Sequence, residues 1–357
     1  MSIPSLEPQT GQTVAPRKRG PLIQRVVEIV ISLGFLFLAL RGIKLKELWL
    51  ALQQANYWWL IPCVLITVAL LFLKGWRWQL LFLPEYRLPY SPVYTAMCAG
   101  YLANNVLPGR AGELVRLVLL VSEEQVSAAR TLSTIVVERL LDILTLLVIL
   151  VLLLPFVKLP PDMTHGAQAL GLLALAAAVV MVVLSFWKER VLGWAHAILG
   201  RVKFLDRPGI YDALGHLIDG FATLRGRLGL LLIGLSFLGW VGVAAMAWSA
   251  AQAVHLQVPL TAIVFAMVVT TLGMLLPSTP GYIGVFHYLV TVALLPFGIP
   301  KEQALTFALV WHGVNYLTLS LSGVVALWAH GTSLGQVRER WRSRGAVVAA
   351  ASSEDGV

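Results

Sequence analysis

The chain has 357 residues, of which 58% are hydrophobic and only 13% are charged, and its mean hydropathy is +0.79. Soluble domains carry about twice this share of charged residues, so the composition excludes an ordinary globular domain and predicts a multi-spanning integral membrane protein. The formal net charge of +9 suits contact with anionic headgroups, although an excess of cytoplasmic lysine and arginine explains most of it. It does not indicate a nucleic-acid partner.

Six apolar runs are long enough to cross a hydrocarbon core, which needs about 20 helical residues. They are Leu22–Leu40, Tyr57–Leu73, Thr131–Leu154, Ala167–Trp187, Leu228–Ala253 and Leu305–Trp328. The predicted fold class is therefore an all-α polytopic membrane protein. We expect a disordered cytoplasmic tail over residues 1–21, one membrane domain over 22–330 and a basic cytoplasmic tail over 331–357.

Two further apolar stretches, Ser91–Val121 and Pro259–Pro296, are interrupted in the middle by proline and glycine. Proline removes a helical hydrogen-bond donor and glycine permits a chain reversal, so each stretch is predicted to form a broken re-entrant hairpin of two half-helices. Broken backbone survives at membrane depth only where protein or a wet cavity covers it. The tips read Pro108-Gly109-Arg110-Ala111-Gly112 and Pro277-Ser278-Thr279-Pro280-Gly281-Tyr282-Ile283-Gly284.

The distribution of positive charge predicts the orientation, because lysine and arginine concentrate in cytoplasmic loops near span ends. With six spans, 18 of the 27 lysine and arginine residues fall on one side, including Lys74 and Arg77 after the second span. Five fall on the other side, and four lie in or beside the first broken stretch. Both termini are therefore predicted to be cytoplasmic, with the protein in the cell membrane.

The two tips share the pattern Pro-Gly-x-x-Gly and occupy equivalent positions in two repeat halves, about 57–154 and 228–328. Under the predicted topology the first hairpin enters from the cytoplasm and the second from outside. This is the inverted repeat of many secondary transporters, whose substrates bind where discontinuous helices meet near the midplane. The alternative is that the Pro-Gly tips merely kink ordinary helices.

Ionisable residues within membrane segments are costly and are functional candidates by default. The first hairpin carries Arg110, Glu113 and Arg116, with Asn104 and Asn105 before the tip. The helix N-terminus after the tip, together with the two arginines, is a suitable site for a phosphate group. The alternative is that these charges only neutralise one another or lie at the cytoplasmic interface.

The third span begins with Glu138, Arg139 and Asp142. Glu138 and Asp142 are four residues apart and face the same way, so they repel one another unless a cation lies between them. Arg110 or Arg116 is the predicted cation, which would hold the first hairpin against this span. The alternative is a solvated first helical turn at the cytoplasmic surface.

The second hairpin carries fewer charges than the first. Its candidate residues, with two on the sixth span, are Ser278, Thr279, Pro280, Gly281, Tyr282, Gly284, His287, His312 and Asn315. A lone helical histidine is more often a hydrogen-bonded structural residue than a proton carrier, and both interpretations of His287 and His312 stay open. Four tryptophans fit interfacial aromatic belts: Trp58, Trp59, Trp76 and Trp78.

At these residues the sequence resembles a known family, the flippase-like integral membrane proteins related to the transmembrane flippase domain of lysylphosphatidylglycerol synthetase. The resemblance covers roughly residues 76–328. It is carried by Arg77-Trp78, the run Asn104–Glu113 with Arg116, the block Glu138–Asp142 and the run Pro277–Gly284. Many relatives carry an acid after the second glycine motif, whereas this chain has His287 there, which departs from charge symmetry between the hairpins.

The resemblance implies transport of a lipid with a polar, often phosphate-bearing headgroup between leaflets, within cell-envelope lipid or glycolipid metabolism. The expected partners are anionic or phosphate-bearing membrane lipids and a lipid or glycolipid synthase. We expect Arg110 and Arg116 to bind phosphate, and the neighbouring charges to position or compensate these arginines. We do not expect lysyl-lipid synthesis, because no segment for the aminoacyl-transfer domain follows the sixth span.

The sequence predicts no catalytic residue, no metal site and no cofactor. No lysine follows a glycine, so a Walker A loop is absent. We therefore do not expect this chain to power transport by ATP hydrolysis. Two other functions stay open. One is a membrane-embedded lipid-modifying enzyme that uses Glu138, Asp142 and His287 as acid, base or metal ligand. The other is a non-transporting partner subunit of a lipid synthase.

Overall fold

The computed structural model describes residues 20–107, 111–157, 226–274 and 278–331, with isolated positions between 165 and 215. Every regular element in these ranges is helical, which confirms the predicted all-α class. The α-helices are α1 (Gly20–Leu40), α2 (Leu45–Gln53), α3 (Leu60–Leu80), α4 (Tyr90–Val106), α5 (Gly112–Glu124), α6 (Ala128–Leu153), α7 (Gly226–Ala253), α8 (Leu260–Gly273), α9 (Val285–Leu294) and α10 (Lys301–Ala329). Short 3-10 turns lie before α3, after α6 and on both sides of α9.

Four segments in the described ranges are long and apolar enough to cross a membrane, by length and composition. They are Tyr57–Leu80, Gly226–Ala253, Pro280–Phe297 and Lys301–Ala329. Three match predicted spans, whereas the segment 280–297 was expected to be half of a hairpin. The predicted spans 22–40 and 131–154 form helices α1 and α6 but are not among the four. The predicted span 167–187 lies almost wholly outside the described residues.

Both predicted interruptions separate two helices. Residues 107–111 separate α4 from α5, and 108–110 among them lie outside the described part of the chain. Residues 274–284 separate α8 from α9. In this second break the backbone φ angle is 69° at Gly281 and 87° at Gly284, a region that glycine adopts without strain. We call these two segments the first break and the second break.

Helix packing follows the same pattern in two halves of the chain. The series α3 to α6 and α7 to α10 each consist of a long helix, two shorter helices around a break, and a long helix. Helix α3 packs against its counterpart α7, α4 packs against α10, and α8, the counterpart of α4, packs against α6. Exchange of the halves therefore maps the pair α3–α7 onto itself and the pair α4–α10 onto α8–α6. Helix α4 also contacts the turn at Pro280–Tyr282, so the helix that leads into the first break packs against the second break.

At one end of the bundle, contacts join segments that the charge pattern assigned to the outer side. The Lys301 ammonium at the start of α10 donates hydrogen bonds to the carbonyl oxygens of Leu38 (2.9 Å) and Arg41 (2.5 Å). The backbone N–H of Asn56, before α3, donates to the carbonyl oxygen of Ala253 at the end of α7 (2.7 Å). The start of α10 thus contacts the end of α1, and the start of α3 contacts the end of α7. All four segments belong to the predicted outer side.

A contact at the other end joins segments assigned to the cytoplasm. His330, directly after α10, lies with its Nε2 atom 3.0 Å from a carboxylate oxygen of Glu123. Glu123 belongs to the last turn of α5. The end of the first broken stretch therefore lies beside the end of the last long helix.

Gly112 sits where α4 and α5 approach most closely at the first break. A Cβ atom at this position would clash with the carbonyl oxygen of Gly100 and lie 2.5 Å from Cγ of Asn104. We expect Gly112→Ala to cost about 1–3 kcal/mol, as overpacking of a core does. The melting temperature of the detergent-solubilised protein, followed by fluorescence-detected size-exclusion chromatography, should fall by several degrees.

The matched control for this substitution is Gly313→Ala in α10. A Cβ atom at Gly313 would meet nothing within 4 Å, and alanine is the better helix former. Its melting temperature should equal or exceed that of the wild type. Equal melting temperatures for the two variants would contradict the close approach of α4 and α5.

Candidate functional site

Helix α3 continues to Leu80, past the predicted end of the second span at Leu73. The assignment of Lys74 and Arg77 to a cytoplasmic loop is therefore wrong, because both lie on the helix. Arg77 is only 3% exposed. Carboxylates from α6 explain how a guanidinium is stable there, since a buried charge needs a partner and hydrogen bonds.

Arg77 connects three helices. Its Nη1 atom donates to Asp142 Oδ1 on α6 (2.6 Å) and to Ser236 Oγ on α7 (2.8 Å). Its Nη2 atom donates to Glu138 Oε1, also on α6 (3.4 Å). Glu138 is 0% exposed, so the alternative of a solvated first turn is wrong. Helix α6 begins at Ala128, which places Glu138 well inside the helix.

Arg116 brings α5 into the same group of charges. Its Nη2 atom donates to the second oxygen of Glu138 at 2.5 Å, so the predicted contact between the first broken stretch and α6 is present. The cation that binds both Glu138 and Asp142, however, is Arg77 and not Arg116 as predicted. Its guanidinium also lies 4.0 Å from the ring centroid of Trp78, a cation–π contact. Trp78 is fully buried and donates from Nε1 to Thr134 Oγ1 (3.1 Å). Its predicted place in an interfacial belt is therefore wrong.

A third arginine completes the group. Arg139 Nη2 on α6 lies 3.0 Å from Glu113 Oε1 on α5, and Nη1 lies 3.9 Å from Asp142 Oδ2. Three arginines and three carboxylates compensate one another in charge, which limits the cost of placing them inside a membrane domain. We call this group the ion cluster: Arg77, Glu113, Arg116, Glu138, Arg139 and Asp142.

Two asparagines hold the first break to its surroundings. Asn104 Oδ1 accepts a hydrogen bond from the backbone N–H of Gly112 (2.9 Å), so this N–H at the start of α5 is bonded to protein. Asn105 Nδ2 donates to Ser320 Oγ (2.9 Å) and to the carbonyl oxygen of Tyr316 (3.2 Å), both on α10. The asparagine pair before the tip therefore caps α5 and fixes α4 to α10.

Two histidines hold the second break. The backbone N–H of Gly284 donates to His287 Nδ1 (3.3 Å), and His287 Nε2 lies 3.3 Å from His312 Nδ1 on α10. Because Nδ1 of His287 accepts a hydrogen bond, the proton of its neutral ring is assigned to Nε2, which donates to His312. Both side chains are buried. The start of α9 is thus bonded to α10 through a directional pair of imidazoles.

Tyr316 connects the two breaks. Its hydroxyl donates to the carbonyl oxygen of Asn105 (3.3 Å), and its ring occupies the space where a Cβ atom of Gly281 would lie, 2.6 Å away. Helix α1 supports the same region, because the Thr279 N–H donates to Ser32 Oγ (2.8 Å). The second break is therefore enclosed by α1, α9 and α10.

The sequence-predicted site residues fall into two separate polar groups. Glu138 and Asp142 belong to the ion cluster, whereas His287 bonds to His312, so the three acid or base candidates of an enzyme are not in one group. The tip residues Pro108–Arg110 lie outside the described part of the chain. Sequence reasoning missed Arg77 and Ser236 as site residues. Arg77 had a signal in the resemblance, whereas an uncharged serine in an apolar span had none.

A narrow cavity lies beside the ion cluster, between α3, α6 and α7. Its polar lining comes from Lys74, Arg77, Asp142 and Ser236, and Trp240 with other apolar side chains forms the rest. Its volume of about 10 Å³ is close to the smallest that holds one water molecule. In this conformation the cavity is thus too small for a headgroup.

Substitution of Arg77 tests whether the balance of charges in the ion cluster stabilises the fold. Arg77→Met leaves Asp142 without its 2.6 Å partner, and we expect a loss of about 3–5 kcal/mol, as for a broken buried ion pair. Adding Asp142→Leu removes the unpaired charge and should restore part of the loss. Thermal unfolding in detergent measures both effects.

The control for this cycle is the exposed pair Lys44–Glu47. Its N–O distance is 2.9 Å, and its side chains are 78% and 53% exposed. Lys44→Met should change the stability by less than about 1 kcal/mol. If Arg77→Met and Lys44→Met have the same melting temperature, the buried cluster does not stabilise the fold.

Known proteins resemble this chain over most of its length. A UPF0104 membrane protein of Methanothermobacter thermautotrophicus is 23% identical over 309 residues, which cover 80% of this chain and 89% of the relative. No solved structure matches the chain. The family model described as the lysylphosphatidylglycerol synthase TM region matches residues 25–323, which include the ion cluster and both breaks. This chain therefore belongs to the family of the lysylphosphatidylglycerol synthase TM region.

Proposed function

We propose that this protein moves a lipid with a polar or phosphate-bearing headgroup between the leaflets of the cell membrane. The ion cluster carries the proposal, because ionisable side chains buried between membrane helices mark polar pathways. The cluster lies beside the first break, and α4, the helix that leads into this break, contacts the turn Pro280–Tyr282 in the second break. Membership in a family named for a lipid synthase supports a lipid as the substrate.

The topology we propose has six full spans and two re-entrant hairpins of opposite orientation, with both termini in the cytoplasm. The contact of Lys301 with Arg41 supports a position of the start of α10 and the end of α1 on one side of the membrane. The contact of His330 with Glu123 supports a position of the ends of α10 and α5 on one side, which the charge pattern assigns to the cytoplasm. Since α3 also ends in the cytoplasm in this topology, the stretch from α4 to α5 starts and ends on one side. The exchange pattern of helix packing supports an inverted repeat.

In the proposed mechanism the headgroup enters the polar region between the breaks while the tails stay in lipid. Glu138 binds Arg77 on α3 and Arg116 on α5, so separation of these helices requires its carboxylate to release one guanidinium. A lipid phosphate can then replace the carboxylate, because guanidinium binds both oxyanions with charge-assisted hydrogen bonds. Arg110 at the first tip is a second proposed phosphate contact. The proposed partners are anionic or phosphate-bearing lipids and a lipid or glycolipid synthase.

Leaflet exchange in liposomes tests this function. The purified chain should expose fluorescent phosphatidylglycerol from the inner leaflet to dithionite, which bleaches only the outer leaflet. Glu138→Gln keeps the side-chain shape but removes the charge that Arg77 and Arg116 share. We expect its exchange rate to fall by about tenfold or more, the effect of losing one charged hydrogen bond.

Glu47→Gln is the matched control, since Glu47 pairs only at the surface with Lys44. It should exchange lipid at the wild-type rate. Absence of exchange by the wild-type chain, for every lipid and ion gradient, would contradict autonomous transport. A pathway defect in cells without exchange by the purified chain would favour the partner-subunit function.

A further inference from the structure

We propose that Lys74 and Arg77 form a subsite for the phosphate group of the transported lipid, in the cavity between α3, α6 and α7. The inference rests on the proposed transport of lipid and specifies where the substrate is recognised. It assigns binding to α3, on the opposite side of Glu138 from the Arg116 contact. The ligand class is a lipid phosphate mono- or diester.

Lys74 is a positive charge that the ion cluster does not compensate. Its ammonium donates to the hydroxyl of Tyr101 (3.1 Å) and lies 5.9 Å from the ring centroid of Trp240. Among the ion pairs found in the described part of the chain, none involves Lys74, and the three carboxylates of the cluster are matched by three arginines. Asp142 lines the same cavity but pairs with Arg77 and Arg139. A half-buried lysine in a membrane helix with no carboxylate at ion-pair distance is costly, and an anionic ligand offsets that cost.

Arg77 supplies a second donor in the same cavity. It lies three residues after Lys74, which places both on one face of α3, and both line the cavity. Its two Nη atoms bind the carboxylates and Ser236, but its buried Nε atom has no hydrogen-bond partner in the described part of the chain. Arg116 and Arg139 also have buried nitrogen atoms without a partner in this part of the chain, so Arg77 is distinguished by its position in the cavity beside Lys74. Phosphate oxygens supply acceptors for this Nε–H and for the lysine ammonium.

The rest of the cavity favours a lipid over a soluble phosphate. Leu73, Leu235 and Val243 line it together with Trp240, so apolar surface directly adjoins the two cations. An amphiphile places its phosphate on Lys74 and the start of its tails on this apolar surface. Because the cavity has a volume of only about 10 Å³, the phosphate enters when α3 and α7 separate.

The test compares lipids with and without phosphate in the liposome assay. Lys74→Met keeps the chain length but removes the charge, and Lys74→Arg restores it. We expect Lys74→Met to slow exchange of fluorescent phosphatidylglycerol by about tenfold and to leave exchange of fluorescent glucosylceramide unchanged. Lys74→Arg should retain at least half of the wild-type preference for the phosphate lipid. Lys46→Met, which removes an exposed lysine from α2, should behave as the wild type.

A binding measurement keeps this inference separate from transport. Native mass spectrometry of the full chain should show a phosphatidylglycerol adduct on the wild type and on Lys74→Arg. The adduct should be about tenfold weaker on Lys74→Met, whereas a diacylglycerol adduct should be equal on all three. If the wild type exchanges no lipid but binds in this manner, the proposed transport fails and the subsite stands.

Three results would overturn the subsite. The first is equal retention of phosphatidylglycerol by the wild type and by Lys74→Met. The second is equal loss of exchange for both fluorescent lipids in Lys74→Met, which would mean that Lys74 acts on the fold. The third is displacement of the phosphatidylglycerol adduct by inorganic phosphate at equal concentration, which would identify a site for soluble anions.

Discussion

Charge compensation at Glu138 is the interaction on which the first half of the membrane domain depends. This fully buried carboxylate receives Arg77 from α3 on one oxygen and Arg116 from α5 on the other. Without it, two guanidinium groups would be buried with too few acceptors, at a cost of several kcal/mol for each ion. The position of α5, and hence of the first break, is therefore set by electrostatics as well as by the close contact of Gly100 with Gly112.

In the second half, the helix after the break is joined to the next long helix by neutral side chains. Where Arg116 ties α5 to α6, His287 ties α9 to α10 through His312. Both pairs connect the helix after a break with the following long helix, so the two halves share a design but differ in chemistry. An ion pair resists separation more strongly than a neutral imidazole bond, since charge-assisted hydrogen bonds are roughly twice as strong.

The all-α class and both breaks could be predicted because they depend on local signals, namely apolar runs and Pro-Gly pairs. The end of α3 could not, because Lys74 resembles the first residue of a loop. Whether Arg77 is solvated or buried depends on Glu138 and Asp142, which are 61 and 65 residues away in sequence. A single sequence does not reveal such a pairing. Binding of phosphate by Arg110 stays a prediction.

In the proposed topology the two broken helices enter the membrane from opposite sides. Ala128 at the start of α6 and Gln303 at the start of α10 are exposed and follow the two broken stretches. In a chain without Cys63 and Cys98, single cysteines at these positions can be labelled with a membrane-impermeant maleimide. The inverted repeat predicts that Gln303→Cys reacts in intact cells and that Ala128→Cys reacts only after permeabilisation. Reaction of both in intact cells would contradict it, because each stretch would then cross the membrane completely.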